Sequence, residues 1–199
     1  MSTSLLSVDY FSNDQAFDSL FPQKVQDLSA LHWTPLEVAT KASAFLASGR
    51  ETKVLDIGSG VGKFCLVGAK TTPHAQFYGI EQRADLVEQA LVAKRKLHIN
   101  NTHFLHGNIM DHDLKRYDSF YFYNAFGENL RKNASIDNHV PLSISRYLQY
   151  TIYLRDVLIN KPIGTRLVTF HALKVVVPTN YKIVSSYLED TLMMWVKSD

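Results

Sequence analysis

The stretch Val54-Leu55-Asp56-Ile57-Gly58-Ser59-Gly60-Val61-Gly62 constrains the fold more than any other part of the chain. A short apolar run that ends in alternating glycines suits a buried parallel strand followed by a tight turn. The glycines let the backbone turn sharply and approach a ligand with no Cβ in the way. Residues 63–70 can then open a helix whose first amides point back at the loop. Strand, glycine loop and helix in that order imply an α/β sheet covered on both faces.

The rest of the chain repeats the alternation. Strands are expected at residues 53–57, 75–81, 102–106, 119–124 and 166–170, and residues 83–98 carry Leu86, Val87, Ala90, Leu91 and Leu97 on helical spacing. Another helix is expected after Pro141, which is placed in its first turn, because Ile144, Tyr147, Leu148, Thr151, Leu154 and Leu158 recur at intervals of three or four. Residues 181–188 and 192–197, joined at Glu189-Asp190, read as an antiparallel hairpin. Residues 173–180 are too short for another helix, so one face of the sheet is expected to be thinner. Val38, Ala42, Phe45 and Leu46 mark an amphipathic helix behind the turn Leu31-His32-Trp33-Thr34-Pro35. The expected fold is α/β: a doubly wound, mostly parallel seven-stranded sheet with a C-terminal antiparallel hairpin and an N-terminal helical cap. Residues 1–50 form the cap within the same domain, and residues 51–199 form the core.

Composition excludes several classes. A length of 199 residues suits one compact domain with a full core. With 21 basic against 19 acidic side chains, the net charge of +2 does not support nucleic-acid binding by bulk charge. No apolar run is long enough to span a bilayer. The first residues lack both a basic start and a sustained apolar core, so no secretory signal is expected and a cytoplasmic location is. Cys65 is the only cysteine, which excludes an intramolecular disulfide and a four-cysteine zinc site; it reads as a small core residue. His103, His106, Asp111, His112 and Asp113 cluster in sequence, but strand alternation puts His103 and His106 on opposite faces, and no metal is expected. Lys94-Arg95-Lys96 reads as the wet face of a helix.

Two nucleotide-loop readings can be tested by spacing. A P-loop needs four residues between its glycines and a Ser or Thr after the lysine; here three residues separate Gly58 from Gly62, and Phe64 follows Lys63. The dinucleotide fingerprint needs its third glycine at position 63, which weakens a nicotinamide-dependent oxidoreductase reading without removing it. The remaining pattern, D-x-G-x-G-x-G, resembles the first motif of the class I (seven-strand, Rossmann-like) S-adenosylmethionine-dependent methyltransferases. The resemblance covers roughly residues 34–197. It implies S-adenosyl-L-methionine as cofactor, its amino-acid part wrapped by Asp56, Gly58, Ser59, Gly60 and Gly62, with Thr34 of the N-terminal turn nearby. Glu81, 19 residues beyond Gly62, stands where the family holds the two ribose hydroxyls, with Gln82 beside it. A carboxylate suits that task because it accepts two hydrogen bonds at once. Asn108 and Ile109 follow the third strand, where the family commonly has an Asp at the adenine amino group; the Asn108 oxygen offers the same bond.

Asn124-Ala125-Phe126, where the fourth strand runs out, is similar to the Asn/Asp-Pro-Pro-Tyr/Phe motif of amino-methyltransferases, with both prolines missing. It is closer to the Asn-x-Phe element of the seven-strand histone lysine methyltransferases. The resemblance implies Asn124 as the catalytic residue that orients an amine lone pair and as part of the cofactor shell. The family places its acceptor-binding residues in this region, where Tyr123, Phe126 and Tyr121 are candidates for an aromatic wall around the methyl group or for core, and Glu128, Arg131 and Lys132 line a polar loop that either reads the acceptor or is solvated. The implied acceptor is of unknown class, with a protein side chain or small molecule favoured over nucleic acid and no membrane partner. A non-catalytic domain that keeps the methyltransferase fold is the other alternative.

Overall fold

The computed structural model describes residues 9–131 and 135–199. Its centre is β1 (Lys53–Ile57), paired in parallel with β2 (Gln76–Glu81) on one side and β4 (Ser119–Tyr123) on the other. Adding β3 (Thr102–His106), β5 (Arg166–Phe170), β6 (Tyr181–Tyr187) and β7 (Leu192–Lys197) gives a seven-stranded sheet of order β3-β2-β1-β4-β5-β7-β6. β7 runs antiparallel to both β5 and β6.

Alternation along the strands builds two cores. Val54, Phe77, Tyr121 and Val168 face one side, where they meet α4 (Leu36–Leu46), α5 (Lys63–Thr71) and α6 (Ala84–Lys96). Leu55, Ile80, Phe120, Phe122 and Leu167 face the other side, covered by α7 (Ile144–Ile159). As the sequence predicts, that second face carries no further helix between β5 and β6, only a 3-10 turn at Lys174–Val176.

The start of α7 differs from the expectation. Pro141 lies outside the helix, and Ser143 is its N-cap, its hydroxyl accepting the Arg146 amide at 3.2 Å. A side-chain cap satisfies an otherwise orphaned amide, which proline cannot do. β4 also stops at Tyr123, one residue early, because Asn124 turns into the left-handed region at φ 40°.

Ahead of α4 come three short helices, α1 (Asp14–Asp18), α2 (Gln23–Gln26) and α3 (Ser29–His32). They are fastened to the first core by Phe17, Phe21, Val25 and Trp33. A buried charge adds to this. Lys63, at the start of α5, is 2% exposed and lies 2.7 Å from Asp14 and 2.8 Å from Asp18. Burying an ammonium group is tolerable only with such partners.

Candidate functional site

The carboxyl ends of β1, β2 and β4 and the turns beyond them surround a cavity of about 530 Å³. Open parallel sheets bind ligands on this side, where the strand order reverses, and here the reversal falls between β1 and β4.

The loop after β1 forms one wall. Gly58, Gly60 and Gly62 have φ of 72°, 52° and 76°, a region side chains rarely adopt. A Cβ on Gly58 would fall 2.5 Å from the Ala125 Cβ, and one on Gly60 2.5 Å from the Trp33 ring. Gly60 is therefore small to admit Trp33, whereas the sequence suggested a ligand alone. Gly62 does not line the cavity; a Cβ there would strike Phe104 at 2.4 Å, so it serves the packing of α5 and α6 against the sheet. Ser59 donates its amide to the Ile80 carbonyl at 3.0 Å, and its buried hydroxyl, pressed against Gly79, has no partner among the described residues.

A smaller pocket of about 20 Å³ shares His32, Trp33, Gly58 and Tyr123 with the cavity and adds Thr34, Asp56, Ser59 and Lys63. Burial, reinforced by the Glu81 charge, pushes the Asp56 carboxyl well above the usual range. The Cys65 thiol, 3.8 Å from Asp56, is pushed up by burial and by that carboxylate, which makes it a core thiol without nucleophilic character. The Thr34 and Tyr121 hydroxyls lie 3.0 Å apart, and Tyr121 stacks on Phe64 at 3.9 Å, so Tyr121 is core and not an acceptor wall.

Glu81 closes β2 on the cavity. Its Oε2 accepts the Gly60 amide at 3.0 Å and its Oε1 the Arg83 amide at 2.9 Å. Each carboxylate oxygen has a second lone pair, so both keep acceptor capacity. Burial raises the Glu81 pKa even though those two amides pull it down. Gln82 and Ile109 also line the cavity. Asn108 is more committed than its sequence position suggested: its oxygen accepts the Met110 amide at 3.0 Å and its amide donates to the Tyr150 hydroxyl at 2.7 Å. Phe126, 4% exposed, packs on Phe122 and Tyr150 at ring distances of 4.8 and 5.3 Å while still bounding the cavity.

Asn124 sits on the rim. Its carbonyl accepts the Gly127 amide at 2.8 Å, and its carboxamide, lying over Gly127, makes no hydrogen bond among the described residues. Tyr123 donates its hydroxyl to the Leu31 carbonyl at 3.3 Å and lines both pockets.

Glu128 is not a free recognition group, because Arg83 holds it. The guanidinium, 3% exposed, donates to Glu128 at 2.8 and 3.3 Å and to Asp137 at 2.9 Å, and lies 3.9 Å from Glu81. Glu128 also accepts the Ile136 amide at 3.2 Å. Burial works against the Arg83 charge, but Glu128 and Asp137 outweigh it and raise the pKa. Sequence reading passed over Arg83. Its only local signal is a cation two residues beyond a strand-end carboxylate; its main partners are 45 and 54 residues away. His32 and His171, also not singled out as site residues, line the cavity together with Arg131. Lys132 lies outside the described residues.

Among the described residues no group of three His, Cys, Asp or Glu side chains could hold a metal ion. His103 stacks on Tyr78 at 4.6 Å, and the His106 ring lies 3.2 Å from the Gln82 carbonyl.

Residues 48–149 match the family described as "Methyltransferase domain". A tRNA (guanine-N(7)-)-methyltransferase of Synechococcus sp. (strain JA-3-3Ab) is 47% identical over 55 residues, which cover 28% of this chain and 23% of the relative. Less than a quarter of that relative is therefore matched. In fold, the chain is similar to an RNA methyltransferase from Salinibacter ruber solved with S-adenosyl-L-homocysteine (TM-score 0.61, 20% identity, 83% of this chain and 94% of that one). It is also similar to TrmN from Thermus thermophilus (TM-score 0.59, 14% identity, 85% of this chain and 50% of that one).

Proposed function

The chain belongs to the methyltransferase-domain family, and on that premise we propose that it transfers a methyl group from S-adenosylmethionine to a nitrogen acceptor. The observation that carries this reading is the convergence of the Gly58–Gly60 turn, Glu81 and Asn124 on one cavity.

The residues fit the cofactor. Glu81 keeps lone pairs for two ribose hydroxyls after accepting its two backbone amides. Ile80, Ile109 and Phe126 offer an apolar wall for the adenine ring, with Asn108 at its edge. The amino-acid end lies toward Thr34, Asp56 and Gly58, where the cavity meets a pocket with room for about one water molecule. When bound, the sulfonium supplies an activated methyl group. Because displacement from it is in line, the protein's contribution is mostly positioning. Asn124 directs the acceptor lone pair with its unbonded carboxamide, and Tyr123 and Phe126 exclude water beside it.

RNA is the acceptor class we favour. The curated relative is named for tRNA guanine, and the Salinibacter ruber protein for RNA. Arg131 on the cavity wall and the exposed Lys174 next to Leu173 supply local cations, and phosphate contacts depend on such local charge more than on net charge. This departs from the sequence expectation of a protein side chain or small molecule, which leaned on the near-neutral total.

The test is transfer of labelled methyl from S-adenosylmethionine into separated tRNA, protein and small-molecule fractions of a lysate. Label in nuclease-sensitive material is expected. Asn124→Ala should lower that transfer by about 10–1,000-fold with cofactor affinity nearly unchanged. Label confined to protein would replace the acceptor class, and no label despite cofactor binding would favour a non-catalytic domain.

A further inference from the structure

We infer that His171 is a second acceptor-site residue, at the strand end next to that of Asn124, placed to take the proton that an N–H acceptor such as an exocyclic base amine loses on methylation, in contrast to a ring nitrogen such as guanine N7, which has none to lose; this rests on the methyltransferase reading above. β4 and β5 run parallel with Tyr123 opposite Phe170, so Asn124 and His171 are the first residues past two adjacent strand ends. Both leave the strand in the left-handed region, at φ 40° and 49°. The other described non-glycine residues with positive φ, namely Glu51, His98, Leu188, Glu189 and Asp190, lie in turns away from the cavity. Only Asn124 and His171 spend that conformation on the cavity wall, and such strain collects where a site needs a side chain aimed against backbone preference.

The backbone of each is held while its side chain is left free. The Asn124 carbonyl accepts the Gly127 amide at 2.8 Å, and the His171 amide donates to the Thr191 carbonyl at 2.9 Å. The imidazole is flanked by the rings of Phe170 at 4.2 Å and Tyr123 at 5.9 Å and makes no hydrogen bond among the described residues. His32 also lines the cavity, but it belongs to α3, next to Trp33, and borders the small pocket near Asp56 and Thr34. His171 borders only the larger space, on the Asn124 side.

The chemistry gives the pair distinct tasks. The acceptor nitrogen's lone pair forms the bond to the methyl carbon, and the carbon–sulfur bond breaks with its electron pair staying on sulfur as a neutral thioether. The N–H proton passes to an imidazole nitrogen of His171. Since His171 is exposed, it can return that proton to water. Asn124 accepts a hydrogen bond from the same nitrogen but cannot take its proton.

The test uses sinefungin, which carries a primary amine on the carbon that replaces the sulfonium and so presents N–H groups where methyl and acceptor meet. Calorimetric titration of the full chain with sinefungin and with S-adenosylhomocysteine needs no identified acceptor. The parent should bind sinefungin more tightly. His171→Asn, which tolerates the left-handed backbone, should reduce that preference by about tenfold, as loss of a charge-assisted hydrogen bond does. His171→Ala should do the same, and S-adenosylhomocysteine affinity should be unchanged in both variants. An unchanged preference would overturn the inference while leaving the cofactor site standing. Equal weakening of both ligands would move His171 into the cofactor shell and also overturn it. Failure of the parent to bind either ligand would defeat the methyltransferase reading and the inference with it.

Discussion

Replacing Arg83 with methionine is the sharpest test of how the loop beyond β4 is held to the end of β2. Methionine fills most of the space of the arginine stem, so the loss is electrostatic and not a cavity. The guanidinium is 3% exposed, and its partners Glu128 and Asp137 are 15% and 19% exposed. Breaking a buried ion pair costs about 3–5 kcal/mol, because the surviving charge stays buried without a partner. Here both carboxylates keep some contact with water, which lowers the expected cost to about 2–3 kcal/mol. For a chain of this size each kcal/mol moves the melting midpoint by about 2–4 °C, so Tm should fall by about 4–12 °C. Arg83→Lys should recover less than half of that, because an ammonium cannot reach both Glu128 oxygens in the fork geometry that guanidinium offers. Thermal and urea unfolding followed by circular dichroism measure both variants. A loss below about 0.5 kcal/mol for the methionine variant, in the range of an ordinary surface substitution, would refute the buried network.

Two half-buried histidines should make the fold sensitive to acid. Burial lowers the pKa of His32, with Arg83 adding to the shift against Glu128, and burial with Lys94 lowers that of His103. A folded-state pKa below the unfolded value of about 6.5 means that the unfolded chain binds more protons below that pH. The contribution of these two groups to the unfolding free energy should therefore fall as pH drops from about 7 to about 5, against the raised Asp56 and Glu81 carboxyls, which take up protons first in the folded chain. A His32→Gln/His103→Gln variant should lose less stability than the parent over that range in urea titrations; an equal change would remove these two groups as the cause. Gly60→Ala should destabilise the fold by about 1–3 kcal/mol through its clash with Trp33 at 2.5 Å and its φ of 52°. In a Trp195→Phe background the fluorescence should also shift to the red, and a variant with the parent's spectrum and stability would place Trp33 elsewhere.

How well the sequence could be read depended on how far away each cause lies. The bounds of β1, β3, β5 and β7 are legible because short, largely apolar runs of five or six residues, closed by glycines or polar residues, set them. The start of α7 was misplaced because Pro141 is a permissive signal, while the Ser143 cap is the physical one. At the site, the glycine loop and Glu81 carry local patterns, and both border the cavity. Gly60 illustrates the limit: its pattern demands a glycine, yet the crowding comes from Trp33, 27 positions earlier, which spacing does not reveal. The engagement of Glu128 by Arg83 was equally hidden, since nothing near either residue in sequence marks its partner. Asn124 and His171 are brought side by side by strand register, and register is a property of the sheet, not of either segment.

In the proposed function, the cavity beside Glu81 holds the adenosine cofactor by its ribose. Titrating the parent and Glu81→Ala with S-adenosylhomocysteine, alongside the oxidised and reduced nicotinamide dinucleotides, tests it most directly. The parent should bind S-adenosylhomocysteine and neither dinucleotide, and Glu81→Ala should weaken binding by about 1–3 kcal/mol, the cost of losing a charged acceptor for two hydroxyl donors. Unchanged affinity in a folded Glu81→Ala variant, or binding of a dinucleotide in place of S-adenosylhomocysteine, would contradict the account.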